Sequence, residues 1–195
     1  WAATAFGSDR DAAMLRADSS RGFRIGGGQS LFLASGLTGR IEGGSARDAL
    51  LSGALRYYWH TSPRSTFFAA LSGDIGHELD ADHELYLGGD NGLRGYPLRY
   101  QTGSSRALLT VEQRYYSKYS LWKLAQIGGA VFFDIGRTWG ESAFGPTENL
   151  GILKDIGFGL RFGNTRSGLA NVLHLDLAIP LDGDSSISDV QLLIE

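Results

Sequence analysis

The feature that most narrows what this chain can fold into is a two-residue alternation that returns in segment after segment. In Ala49–His60, one face carries Ala49, Leu51, Gly53, Leu55, Tyr57 and Trp59, against Leu50, Ser52, Ala54, Arg56, Tyr58 and His60. Further along, Ile156, Phe158, Leu160 and Phe162 oppose Asp155, Gly157, Gly159 and Arg161. Successive side chains of an extended strand point to opposite faces, so this period predicts strands. The same reading applies to Leu31–Glu42, Thr66–Ile75, Leu109–Tyr116, Ala130–Gly136, Leu173–Ile179 and Val190–Ile194. The fold class is therefore all-β and antiparallel, with about eight strands, or nine if the N-terminal stretch contributes. There Trp1–Gly7 reads as a strand and Arg10–Ala17 as a helical turn or loop.

Alternation alone leaves two architectures open. In a soluble barrel the apolar face makes the core, whereas in a transmembrane barrel it meets lipid and the polar face lines the lumen. Three features favour the membrane form. Alternating runs of about 10–14 residues exceed the ~5–6 typical of soluble sheets and match the ~9–11 that a tilted strand needs to cross a bilayer. Short connections (Thr61–Ser65, Lys118–Ser120, Gly163–Ser167) trade places with longer ones (Gly43–Arg47, His77–Ser105, Gly140–Asn149, Leu181–Ser186), as in outer-membrane barrels. Aromatic residues crowd the short turns: Tyr57, Tyr58, Trp59, Phe67 and Phe68 at one, Tyr115, Tyr116, Tyr119 and Trp122 at the next, and Phe162 at the third. An interfacial girdle takes such rings, with Tyr86 and Trp139 at the opposite rim.

Composition removes other classes. The formal charge of −3 shows no basic stripe for nucleic acid. Without cysteine there are no disulfides, thiolate metal sites or thiol nucleophiles. Twenty-eight glycines against four prolines suit bent strands better than helices. No apolar run is long enough for a transmembrane helix. The opening WAATAFGSDR lacks signal-peptide architecture and reads as if entered in mid-strand, so the expectation is one barrel domain over residues 1–195, cut at both ends.

One connection breaks the rhythm. Within it, Leu85–Tyr100 (LYLGGDNGLRGYPLRY) combines four glycines, a proline and an Arg94 enclosed between Leu93 and Gly95-Tyr96. Connections beyond ~12–15 residues are normally functional or disordered, and a Gly-Tyr-Pro ending joins backbone freedom, a fixed φ and a ring to bury. The sharper reading has Arg94 folding back to an inward carboxylate, with Asp134 the leading candidate; the plainer one is a solvated loop arginine. Reversing both charges, Arg94→Asp with Asp134→Arg, is then expected to restore part of what each single change loses. Other constellations are weaker. The acidic run His77–Glu84 (HELDADHE) matches neither a zinc-protease helix nor a calcium loop, so no metal site is assigned. His174 and Asp176 share a face without a placed serine nucleophile, and Gly26–Gly28 and Gly88–Gly89 lack the Lys-Ser/Thr of a phosphate loop.

GGDNGLRGYP resembles the lumen-loop motif of the Omp85 superfamily of outer-membrane barrels, whose core is Arg-Gly-Phe or Arg-Gly-Tyr. Val131–Gly136 (VFFDIG) resembles that superfamily's Phe-x-Asp-x-Gly motif, and Thr110–Tyr116 (TVEQRYY) its Glu-x-Arg pattern. The resemblance runs from about Leu31 to Glu195 and covers members such as two-partner-secretion transporters and surface antigens. It implies a loop-to-barrel lock of Arg94, Gly95, Tyr96 and Asp134, supported by Gly88, Gly89, Glu112, Arg114, Phe132 and Gly136. It also implies a non-enzymatic protein of the bacterial outer membrane, without cofactor, that inserts or translocates polypeptide clients. The alternatives are a passive small-solute pore or a structural anchor barrel. Two departures stand out: the superfamily barrel has sixteen strands, and its C-terminus is usually aromatic, where this chain ends Leu192–Glu195 (LLIE). Both fit a chain that is half of such a barrel; a small barrel, or one completed by a second copy or by missing N-terminal strands, also accommodates the count.

Overall fold

A computed structural model describes residues 11–121, 125–142, 150–164, 172–183 and 186–194. Strands run β1 (Ala12–Gly26), β2 (Gln29–Glu42), β3 (Ser45–Ser62), β4 (Ser65–His77), β5 (Leu85–Leu87), β6 (Gln101–Gly103), β7 (Ser105–Leu121), β8 (Ala125–Trp139), β9 (Leu153–Asn164), β10 (Val172–Pro180) and β11 (Gln191–Ile194). Nine of them form one antiparallel sheet in the order β1-β2-β3-β4-β7-β8-β9-β10-β11, and β5 pairs with β6 as a separate ribbon. The sheet is not closed into a barrel.

Register carries the alternation across the whole sheet. Leu33 faces Leu55, Leu55 faces Leu71, Leu71 faces Leu109 and Leu109 faces Ile135. Val131 then faces Phe158, and Phe158 faces Leu177. One face is thus a continuous apolar surface. A one-residue slip would move every side chain to the other face, so the pattern fixes the register. This surface is bare: Leu51, Val131 and Phe158 are 53%, 58% and 57% exposed. The opposite face buries charge instead, with Asp134, Asp155 and Arg161 at 0%. The main buried apolar cluster, Leu87, Leu93, Tyr96 and Leu153, lies between the 78–104 connection and that charged face.

Three expectations are corrected. Residues from Ala12 onward, read as a helical turn or loop, are the edge strand β1, paired from Ala12↔Glu42 to Gly26↔Gln29. Its alternation is weak because an edge strand of small and charged residues has little to bury. Gly43–Arg47 is not a longer connection but a two-residue hairpin, in which Gly43 and Gly44 take φ of 59° and 86°. Two positive φ values are what such a tight turn requires, and glycine supplies them without a Cβ clash. Lys118–Ser120 lies inside β7, which absorbs an irregularity between Tyr116 and Ser120 rather than turning there. The aromatics divide between the faces as the alternation predicts: Tyr57 and Phe67 meet on the apolar side, whereas Tyr58 and Phe68 pair on the polar side with ring centroids 4.9 Å apart. Trp1–Gly7, Trp122, the side chain of Tyr119, and parts of the connections at Gly140–Asn149, Gly163–Ser167 and Leu181–Ser186 lie outside the described residues.

Candidate functional site: a loop arginine on a buried carboxylate face

The 78–104 connection leaves β4, crosses the polar face of the sheet and returns into β7, the strand beside β4. Its ends are tied down. Gly76 donates its N–H to the Ser104 carbonyl (2.7 Å), the Thr138 N–H reaches Gln101 Oε1 (2.7 Å), and Gln101 Nε2 donates to the Gly151 carbonyl (2.9 Å). The two glycines after β5 make the reversal. Gly88 sits at φ 122°, and a Cβ there would lie 2.1 Å from the Pro97 carbonyl oxygen. Gly89, at φ 61°, donates its N–H to the Tyr96 carbonyl (2.9 Å). Leu93 takes φ 59°, a conformation uncommon for a side chain of its kind, and is fully buried. It delivers Arg94 to the sheet.

Arg94 meets three carboxylates and a ring. Its Nε donates to Asp134 Oδ2 at 2.8 Å and its Nη2 to Asp134 Oδ1 at 3.2 Å, a bidentate fork. Nη1 donates to Asp176 Oδ2 (2.9 Å) and Glu112 Oε2 (3.3 Å). The guanidinium carbon lies 3.3 Å from the centroid of the Phe132 ring, a cation–π contact. Burial alone would push the Arg94 guanidinium down, but the hydrogen bond and charge of Asp134, with Glu112 and Asp176, hold it above its ordinary value. It stays a cation. The next two residues finish the seat: the Gly95 N–H donates to Asp155 Oδ2 (3.0 Å), and the Tyr96 hydroxyl donates to the Lys154 carbonyl (2.9 Å) while accepting the Asp182 N–H (3.2 Å).

Around this seat a second arginine closes the charge network. Arg161 Nη2 donates to Glu112 Oε1 (2.9 Å), and its Nη1 contacts Asp176 Oδ1. Arg114 Nε also reaches Glu112 Oε1 (2.9 Å) and stacks its guanidinium on Phe68, but does not touch the loop. Gly136 lies under the loop, where a Cβ would stand 3.0 Å from Leu87 Cδ1.

Sequence reasoning placed Asp155, Arg161 and Asp176 on the polar face but did not assign them to the lock. A local signal existed. On β9 the polar-face positions read Gly157, Gly159, Arg161, and a Cβ at Gly157 would lie 2.3 Å from Phe132 Cζ, while one at Gly159 would fall 1.7 Å from Asp176 Oδ1. The glycines make the volume that the ring and the carboxylate fill. Asp176 is committed to two guanidiniums. In the acidic run, His83 Nδ1 meets Asp48 Oδ2 (2.7 Å) and Asp80 meets Arg40. Among the described residues no group of three or more His, Cys, Asp or Glu side chains converges as for a metal.

Neither a scan against models of protein families nor a search of curated proteins returned a match to this chain.

Proposed function

We propose that the chain is part of a transmembrane β-barrel of the bacterial outer membrane, of Omp85 type, that inserts or translocates polypeptide. The observation that carries this reading is the inverted distribution of charge and grease. Leu51, Val131, Ile156 and Phe158 stand bare on one face, whereas Glu112, Asp134, Asp155, Arg161 and Asp176 are buried on the other under a folded-in loop. A water-soluble sheet would bury the first set, but a bilayer would cover it at no cost. The Arg94 loop, seated by salt bridges beside a small apolar cluster, is then a removable brace inside the lumen, and a client chain passes or is threaded when it withdraws. Partners are the lipid bilayer and a polypeptide client.

Planar-bilayer conductance of the purified chain tests this. The parent chain is expected to show a low, gated conductance and Arg94→Ala a larger and steadier one. A large, steady conductance that Arg94→Ala leaves unchanged would instead favour a passive pore, and recovery of the chain from membranes without detergent would sink the membrane reading. A structural anchor is favoured by one observation, the double seating of the Tyr96 hydroxyl against Lys154 and Asp182, which braces the loop to β9 and its neighbour.

A further inference from the structure

The seat of the loop holds one carboxylate more than its arginines neutralise. Arg94 from the loop, Arg114 from β7 and Arg161 from β9 face Glu112 from β7, Asp134 from β8, Asp155 from β9 and Asp176 from β10. His174 adds an imidazole from β10, facing Arg161, Arg114, Glu112 and Asp176. Lys154 is engaged elsewhere, with Asp182 at 3.3 Å. Glu112, Asp134 and Asp176 each contact at least one guanidinium, whereas among the described residues Asp155 meets none: its Oδ2 accepts the Gly95 N–H, and its Oδ1 is buried without a donor. The group nearest in register is Asp134, its direct cross-strand partner on the same buried face and itself fully buried. Two carboxyl oxygens that meet in a dry site are satisfied only if a proton lies between them.

We infer that Asp155 is a second positioning residue for the loop, and that it works as the neutral half of a carboxylic acid–carboxylate pair with Asp134. In that state one acid hydrogen satisfies the carboxylate beside it, the remaining three carboxylates balance three guanidiniums, and Asp155 still accepts from Gly95. Removing the proton places an unpaired charge beside Asp134 and loosens the segment that both residues hold. The loop is therefore seated by a charge-balanced cluster that alkali unbalances. This rests on the loop being the functional element proposed above.

The chain has no cysteine, so Asp90→Cys, at an exposed position on the loop, gives a single site for a nitroxide label. Label mobility is followed in lipid from mildly acidic to alkaline pH, with strand content checked by circular dichroism. In the parent the label is expected to be immobile at the acidic end and to free itself as pH rises, the seated-to-free ratio falling by roughly tenfold per pH unit beyond the midpoint for a one-proton step. Asp155→Asn, neutral and of the same shape, keeps the label immobile across the scan. Asp134→Asn frees it at every pH, because the Arg94 fork is lost. An Asp155→Asn label that is mobile throughout, or a parent profile as flat as that of Asp155→Asn, overturns the inference. A label that stays immobile in Arg94→Ala would instead refute the loop lock itself, whatever Asp155 does.

Discussion

Gly95 and Asp155 fit together so closely that a side-chain atom added at Gly95 has no room. The Gly95 N–H donates to Asp155 Oδ2 at 3.0 Å, and a Cβ on Gly95 would lie 2.6 Å from Asp155 Cβ and 3.0 Å from the Pro180 nitrogen. The obstructing atoms are a Cβ and backbone, which cannot swing aside. Gly95→Ala is expected to destabilise the seated loop by about 1–3 kcal/mol, as overpacking of a filled interior does. Limited proteolysis within the 78–104 segment checks this: faster cleavage of Gly95→Ala, with cleavage elsewhere unchanged, is the expected result.

Arg94 is the charge on which the cluster closes. Arg94→Ala leaves Asp134 without its guanidinium, while Asp176 and Glu112 keep Arg161, and should cost about 3–5 kcal/mol, as breaking a buried ion pair does. Arg94→Lys should recover only part, since an ammonium cannot reproduce the bidentate fork or lie flat on Phe132. The double reversal, Arg94→Asp with Asp134→Arg, looked restorative from the pair alone. With Asp176 at 2.9 Å and Glu112 at 3.3 Å from Nη1, an aspartate at position 94 enters a field of like charge, so the double variant is expected to be no more stable than the singles. Denaturant unfolding of the four variants in detergent decides it.

On the bare face, a charge should be costly only if lipid covers it. Phe158, in the middle of β9, is 57% exposed, so in water Phe158→Arg would be nearly neutral. In a bilayer it should cost about 2–4 kcal/mol near the midplane. Ser72→Arg, on the opposite face, is the comparison. Folding yields into lipid vesicles are expected to fall for Phe158→Arg and to be largely kept for Ser72→Arg.

The start of the long connection carries a pH-dependent tie of its own. Asp48 hydrogen-bonds His83 and, with its charge and those of Asp82 and Asp80, raises the imidazole above its ordinary value against a smaller opposing effect of burial. A folded-state value above the unfolded one means that the tie is fully present below the unfolded value and is lost as pH rises through the folded one. The His83 side chain is 58% exposed, so its contribution is at most about 1 kcal/mol. An NMR titration should show the His83 midpoint fall in Asp48→Asn.

Period two made most of the sheet legible, because a run such as Asp155–Phe162 repeats its polarity too regularly for anything but a strand. β1 was not legible: at an edge, Ala13, Leu15 and Ala17 need no burial, and the pairing with β2 does the work that patterning does elsewhere. As for the lock, the inward position of Asp134 made it the leading partner for Arg94, and the family resemblance set that pairing above a solvated loop arginine. Asp176, 82 residues from Arg94, needed the register of β8, β9 and β10 before it could be placed.

The sheet's strand count has a bearing on assembly. Nine strands joined throughout by antiparallel pairing leave β1 and β11 running in the same direction. Bringing those two edges together directly would make a parallel seam. So would a ring of two copies standing the same way up in a membrane, at both of its junctions. A ring that is antiparallel all the way round must therefore add an odd number of strands to the nine among the described residues, and parity decides which assemblies can close without a parallel seam.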